Sequence, residues 1–210
     1  FAGARECSPA RYYRLPDTLP GKWQGADIKY IAPHARGSGD SPDDPMALDD
    51  IESGSHPIVA SFAPGVYRPS SDLGARLSGR SAALISPCWM STKFFVGRDS
   101  IELDDNPVLV VTGIDFLGSA DGVLSVEEAG IATIQNTMFR NFPPRRFGGP
   151  STALRFNRTR GAAIVGSTIR RYDRGVAAKR TRLALNSVSM SRVRDVGVET
   201  VAVEGTHDMS

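Results

Sequence analysis

Short apolar runs broken by glycine, asparagine and aspartate fill the second half of the chain, and one apolar frame returns there every twenty-odd residues. Four units carry it: VVTGIDFLGSADGVLSV from Val110, TIQNTMFRNF from Thr133, AIVGSTIRRYDRGVAA from Ala163 and ALNSVSMSRVRDVGVETV from Ala184. In each, an apolar anchor is followed five residues later by a second, giving the pairs Val111/Phe116, Ile134/Phe139, Ile164/Ile169 and Leu185/Met190. A third apolar residue follows three positions on, as Phe142, Tyr172 and Val193, and a Gly-Val step restarts the frame at Gly122-Val123, Gly175-Val176 and Gly197-Val198. The first anchors lie 23, 30 and 21 residues apart, and the long interval holds NFPPRRFGGPST. An insertion confined to one corner of a repeat is what a loop on a solenoid looks like.

The runs are rich in Val, Ile and Thr and alternate over short stretches, which favours strands over helices. A unit of this length is too short for a two-helix repeat. It accommodates three short strands and three turns, and coils stacked about 4.8 Å apart let each backbone pair with its neighbours above and below. One coil cannot bury its own apolar face, so the anchors are expected to form a continuous core. The prediction is an all-β fold, a single-stranded parallel β-helix (solenoid) of roughly seven coils.

The front of the chain is organised differently. Residues 1–26 read as an irregular arm punctuated by Pro9, Pro16 and Pro20, with Tyr12, Tyr13 and Trp23 expected against a solenoid domain over 27–210. DIKYIAPHARGSGDSPDDPMALDDIESGSHPIVASFAPGVYRPSSDL then runs from a strand ending in Ala-Pro, through a Gly/Ser/Asp turn and Asp-Asp-Pro, to a second strand closing on Ala-Pro-Gly-Val-Tyr. This order resembles the opening of the right-handed parallel β-helix repeat proteins of the pectate-lyase-like superfamily, which holds many secreted polysaccharide lyases. The resemblance implies a right-handed solenoid with a short N-terminal capping helix at Asp44, Pro45, Met46, Leu48 and Ile51. It also implies a turn at Pro64, Gly65 and Tyr67 into the first coil. An uncovered end would leave strand edges and core in water, and Asp before Pro is a favourable helix start. SAALISPCWM, KFFVG and SIELDD are expected to be the three strands of an early coil.

The resemblance also implies a secreted protein, extracellular or at the cell surface. The chain begins at Phe1 without a methionine, which fits a mature form. Cys7 and Cys88 are either one bridge pinning the arm or two unrelated thiols. No apolar run approaches the length of a membrane-spanning helix.

Charge adds a functional clue. The net charge is only +2, yet residues 1–128 carry 11 basic and 18 acidic side chains, and residues 129–210 carry 14 and 5. Between Arg140 and Arg194 the one acid is Asp173, so an electropositive stripe that attracts polyanions is expected. Nucleic acid is disfavoured as the polyanion because the stripe lacks interleaved aromatics for base stacking.

None of the compact catalytic motifs is present: no Gly-x-Ser-x-Gly, P-loop, His-Glu-x-x-His or Cys-x-x-Cys, and His34, His56 and His207 are scattered. The repeat offers a different route, since equivalent positions of successive coils stack. The same shifts place Glu127, Asn157 and Lys179 in one outward column that alternates with inward Val126, Phe156 and Ala178. Beside it fall Glu128, Arg158 and Arg180, then Arg160 and Arg182.

An acidic polysaccharide is the expected partner, with Glu127, Asn157, Arg160 and Arg182 as substrate-binding residues. Lyases of this fold cleave uronate chains by β-elimination: a basic side chain takes the C5 proton while Ca²⁺ or a cation neutralises the adjacent carboxylate. The resemblance therefore implies Lys179 as base and Arg158 or Arg180 as the carboxylate's partner, with Ca²⁺ the one cofactor to consider. The acidic turn Asp40, Asp43 and Asp44 offers oxygen ligands for that ion, or is turn chemistry alone. The alternative is a non-catalytic structural or adhesive module, or an assembly subunit meeting a protein partner or another copy of itself at its C-terminal end.

Overall fold

The computed structural model describes residue 23 and residues 25–88, 91–142 and 150–201. Strand β1 (Asp27–Ile31) comes first. Coil one follows as β2 (Ile58–Phe62), β3 (Gly65–Tyr67) and helix α1 (Leu73–Leu77), and coil two as β4 (Ala82–Ile85), β5 (Thr92–Gly97) and β6 (Ile101–Asp104). Coil three holds β7 (Val108–Thr112), β8 (Ile114–Gly118) and β9 (Asp121–Glu127), and coil four β10 (Ile131–Gln135), β11 (Met138–Arg140) and β12 (Thr152–Asn157). Coil five is β13 (Gly161–Val165), β14 (Thr168–Arg170) and β15 (Arg174–Lys179), and coil six β16 (Leu183–Asn186), β17 (Ser189–Ser191) and β18 (Val196–Val201). The chain is thus a parallel β-solenoid of about six turns, one fewer than the repeat predicts.

The three positions of each coil build three parallel sheets. The first is ordered β1-β2-β4-β7-β10-β13-β16, the second β3-β5-β8-β11-β14-β17 and the third β6-β9-β12-β15-β18. Strand pairing reproduces the repeat frame: Ile134 sits between Val111 and Ile164, and Phe139 between Phe116 and Ile169, with Leu185 and Met190 next in line. The frame slips at one place. Leu124, not Val123, lies opposite Leu154, because a bulge between Thr152 and Leu154 shifts the register and Gly122 takes a φ of +93° beside it.

The core is a stack of ladders, and its aromatic column runs through Phe62, Phe94, Phe116 and Phe139 at centroid spacings of 5.1, 5.4 and 5.0 Å. Phe142, expected inside, is 50 % exposed. Tyr172, at the equivalent position one coil on, is fully buried and its hydroxyl donates to the Gly118 carbonyl, two coils away, at 2.9 Å.

The N-terminal end is covered, with a different division of labour from the expected one. Met46, Leu48 and Ile51 are buried in the core, but the segment is extended apart from a single 3-10 turn at Leu48–Asp50 whose N-cap is Ala47. Asp44 caps no helix; its carboxylate closes the 37–45 turn by accepting the Ser38 amide at 3.0 Å. The one α-helix among the described residues, α1, packs along the free edge of β6 and so covers the first rung of the third sheet. A Cβ on Gly74 would lie 2.0 Å from the Glu102 carbonyl oxygen, so only glycine lets helix and strand approach that closely.

Pro64 bends the chain between β2 and β3 inside the first coil, and Gly65 and Tyr67, expected as the turn into that coil, lie in β3 itself; Tyr67 lies within hydrogen-bonding distance of the Ala63 and Ile31 carbonyls, at 2.8 and 3.1 Å. Trp23 packs on Val59 and Ala83. The rest of the expected arm, including Cys7, Tyr12 and Tyr13, lies outside the described residues, as do 143–149 of the insertion and His207. Cys88 is buried and disulfide-bonded.

Candidate functional site

The parallel register brings the expected column together. Asn157 is paired with Glu127 on one side and Lys179 on the other, while Asp104 and Val201 extend the column to either end. Val126, Phe156 and Ala178 alternate with it into the core. The column lies in an open groove of about 310 Å³ that is also lined by Arg155, Arg174 and Glu199.

Immediately beyond the column the chain turns the corner from the third sheet back to the first. Coils one to five each do so through one left-handed residue: Gly79, Asp105, Glu128, Arg158 and Arg180 in succession. Backbone pairing continues through the corner, with the amides of Glu128, Arg158 and Arg180 donating to Asn157, Lys179 and Val201. The side chains of this ladder therefore stack at the coil spacing of about 4.8 Å. Arg160 and Arg182, both exposed, lie two residues past it.

The charge pattern differs from the sequence expectation of an unneutralised stripe. Acids outside the 140–194 window reach into it across coils: Asp115 pairs with Arg140, Asp121 with Arg155, Glu128 with Arg158 and Glu199 with Arg174. Sequence proximity misses these pairs because residues in contact on a solenoid are separated by a whole coil. Arg158, expected to hold a substrate carboxylate, is thereby engaged by Glu128. Among the described residues Lys179, Arg180, Arg160 and Arg182 take part in no ion pair, so positive charge concentrates on the third-to-first corner of coils four to six.

A second concentration, absent from the sequence expectation, sits at the corner from the second sheet to the third. Asn141, Arg171 and Arg192 occupy successive rungs there, and they line a cleft of about 390 Å³ together with Ser151, Asp173 and Arg194. The signal was available, since the same 30- and 21-residue shifts carry Asn141 to Arg171 and Arg192.

Two of the three carboxylates of the acidic front turn are engaged within the protein. In the front turn Asp40 is ion-paired with Lys29 at 2.6 Å, and that hydrogen bond holds its carboxyl below the usual range. The Ser38 backbone amide does the same for Asp44. Among the described residues no group of three or more His, Cys, Asp or Glu side chains is placed to hold a metal. Among them, too, no helix is long and apolar enough to cross a membrane.

Fold and site together define a parallel β-solenoid with two cationic corners. No protein-family model, no curated protein and no solved structure matches the chain.

Proposed function

We propose that this protein binds an acidic polysaccharide outside the cell or at its surface, along the third-to-first corner of coils four to six. One observation carries the reading: among the described residues Lys179, Arg180, Arg160 and Arg182 take part in no ion pair, and they stand beside the Glu127/Asn157/Lys179 groove. A stacked row of cations meets the repeated carboxylates of a uronate chain, while Asn157 and Glu127 offer donors and acceptors to its hydroxyls. The resemblance of the 27–67 segment to the pectate-lyase-like proteins supports the carbohydrate class. The disulfide at Cys88 supports an oxidising compartment.

The test is binding of polygalacturonate, alginate and hyaluronan to the wild-type protein and to the Lys179→Ala/Arg180→Ala variant, with absorbance followed near the ultraviolet band of unsaturated uronates. Affinity for at least one polymer, weakened about ten-fold or more in the variant, supports the reading; wild-type protein that binds none of the three contradicts it. A rise in absorbance that Lys179→Ala abolishes would add β-elimination, with Lys179 as the base. A flat trace on a bound polymer would make the protein a binding module without catalysis.

A second reading, an assembly subunit, is favoured by the exposed Leu185, Val196, Val198 and Val201 on coil six. Concentration-dependent association in sedimentation, abolished by Val198→Lys, would favour it over the first.

A further inference from the structure

The second-to-third corner carries a site of different construction. Ser151 is held at its centre: its amide and hydroxyl both donate to Asp173 Oδ2, at 2.8 and 2.9 Å, and its hydroxyl oxygen accepts Asn141 Nδ2 at 3.0 Å. Asn141 is only 8 % exposed, yet among the described residues its Oδ1 has no hydrogen-bond partner. A buried carbonyl oxygen left unpaired is costly, and the deficit is removed by a ligand hydroxyl or amine.

Above this cradle stand Arg171, Arg192 and Arg194, three guanidiniums against the single carboxylate of Asp173, which Arg194 approaches at 4.0 Å. Arg171 and Arg192 hold left-handed backbone, at φ of 65° and 56°. Asn141 and Arg171 also line an adjoining cleft of about 180 Å³, whose apolar wall is Leu117 and the half-exposed ring of Phe142.

Three chemistries therefore meet: excess positive charge, an unpaired hydroxyl acceptor and an aromatic wall. An inorganic anion would use only the first. A sugar unit bearing a carboxylate uses all three, with its acid on the arginines, a hydroxyl on Asn141 Oδ1 and its C–H face against Phe142. We infer that this corner cleft is a subsite for one uronate unit of the polymer proposed above, and the inference rests on that reading. The Glu127/Asn157/Lys179 groove runs along β15 (Arg174–Lys179) as far as Arg174, the residue next to Asp173 of the corner cleft. A chain crossing the third sheet along its strands would engage both.

Isothermal titration with trigalacturonate, its methyl ester and inorganic sulfate tests this on the wild-type chain, on Arg171→Ala/Arg192→Ala, and on Lys179→Ala/Arg180→Ala. Because both arginines are exposed, the corner variant is expected to fold as the wild type does by circular dichroism. It is expected to bind trigalacturonate at least ten-fold more weakly, and the methyl ester is expected to bind wild type at least ten-fold more weakly than the acid. Asn141→Ala, in a chain that stays folded, is expected to weaken the acid sugar while leaving sulfate unchanged. An unchanged affinity in the corner variant, with loss only in the Lys179 variant, would overturn the subsite and leave the polysaccharide reading standing. Sulfate competing on equal terms would reduce the cleft to an anion site and overturn the sugar assignment. Failure of wild-type protein to bind trigalacturonate, while polymers bind, would also overturn the subsite.

Discussion

At the corner after the first sheet the left-handed positions are Gly113, Asn136, Gly166 and Ser187, mostly residues that reach positive φ at low cost. After the third sheet the same geometry is held by Asp105, Glu128, Arg158 and Arg180. Arginine gains nothing locally from that backbone, so Arg180→Asn is expected to raise stability by about 0.5–1 kcal/mol in urea denaturation while weakening binding to polygalacturonate. A loss of stability instead would show that the guanidinium packs on the coil. Tyr172 is the buried counterpart. Burial, and secondarily the Asp115 charge, pushes its phenol above the ordinary value of 10.0. The fold keeps the neutral form while the unfolded chain ionises. Its stabilising contribution is therefore complete below pH 10.0 and declines as pH rises beyond it. Tyr172→Phe is expected to flatten that alkaline decline in melts from about pH 8 to about pH 11. At neutral pH it is expected to cost about 1 kcal/mol for the bond lost at the Gly118 carbonyl. An unchanged alkaline slope would place the sensitivity elsewhere.

Among the elements, the inner ladder of the second sheet carries the aromatic stack. Phe116 touches Phe94 above and Phe139 below, so Phe116→Ala opens a void between two coils and is expected to cost about 3–5 kcal/mol by denaturant midpoint. A cost under about 1 kcal/mol would mean that the coils collapse to fill it. These strands and their register were legible because parallel stacking repeats one side-chain position at a fixed interval, which makes periodicity equivalent to contact. The Glu127/Asn157/Lys179 column was legible for the same reason. What the frame could not show is where translation fails. The bulge at Gly122 shifts one rung, and Phe142 turns outward. The front cover, Met46 to Ile51, repeats nothing and is held by burial of Met46, Leu48 and Ile51 rather than by a helix signal. The Asn141/Arg171/Arg192 rungs obey the same period, but no interval in the sequence shows that Ser151 and Asp173 close a cleft around them.

For the molecule as a whole, the solenoid converts a charge asymmetry along the sequence into two cationic corners on either side of one sheet. Pairing across coils removes much of the apparent stripe and leaves positive charge where grooves lie. Exposed charges of this kind act over about 10 Å at 0.1 M salt, so an acidic ligand should be held in a salt-dependent way. Coil six, with apolar side chains exposed, is where assembly would begin if the second reading held. The decisive measurement is the affinity of the full chain for polygalacturonate and for its fully methyl-esterified form, at low and at high salt. Tight, salt-sensitive binding of the acid form with little binding of the ester is the expected result. Equal affinity for the two, or no binding of polygalacturonate, alginate or hyaluronan at low salt, would contradict an acidic-polysaccharide function.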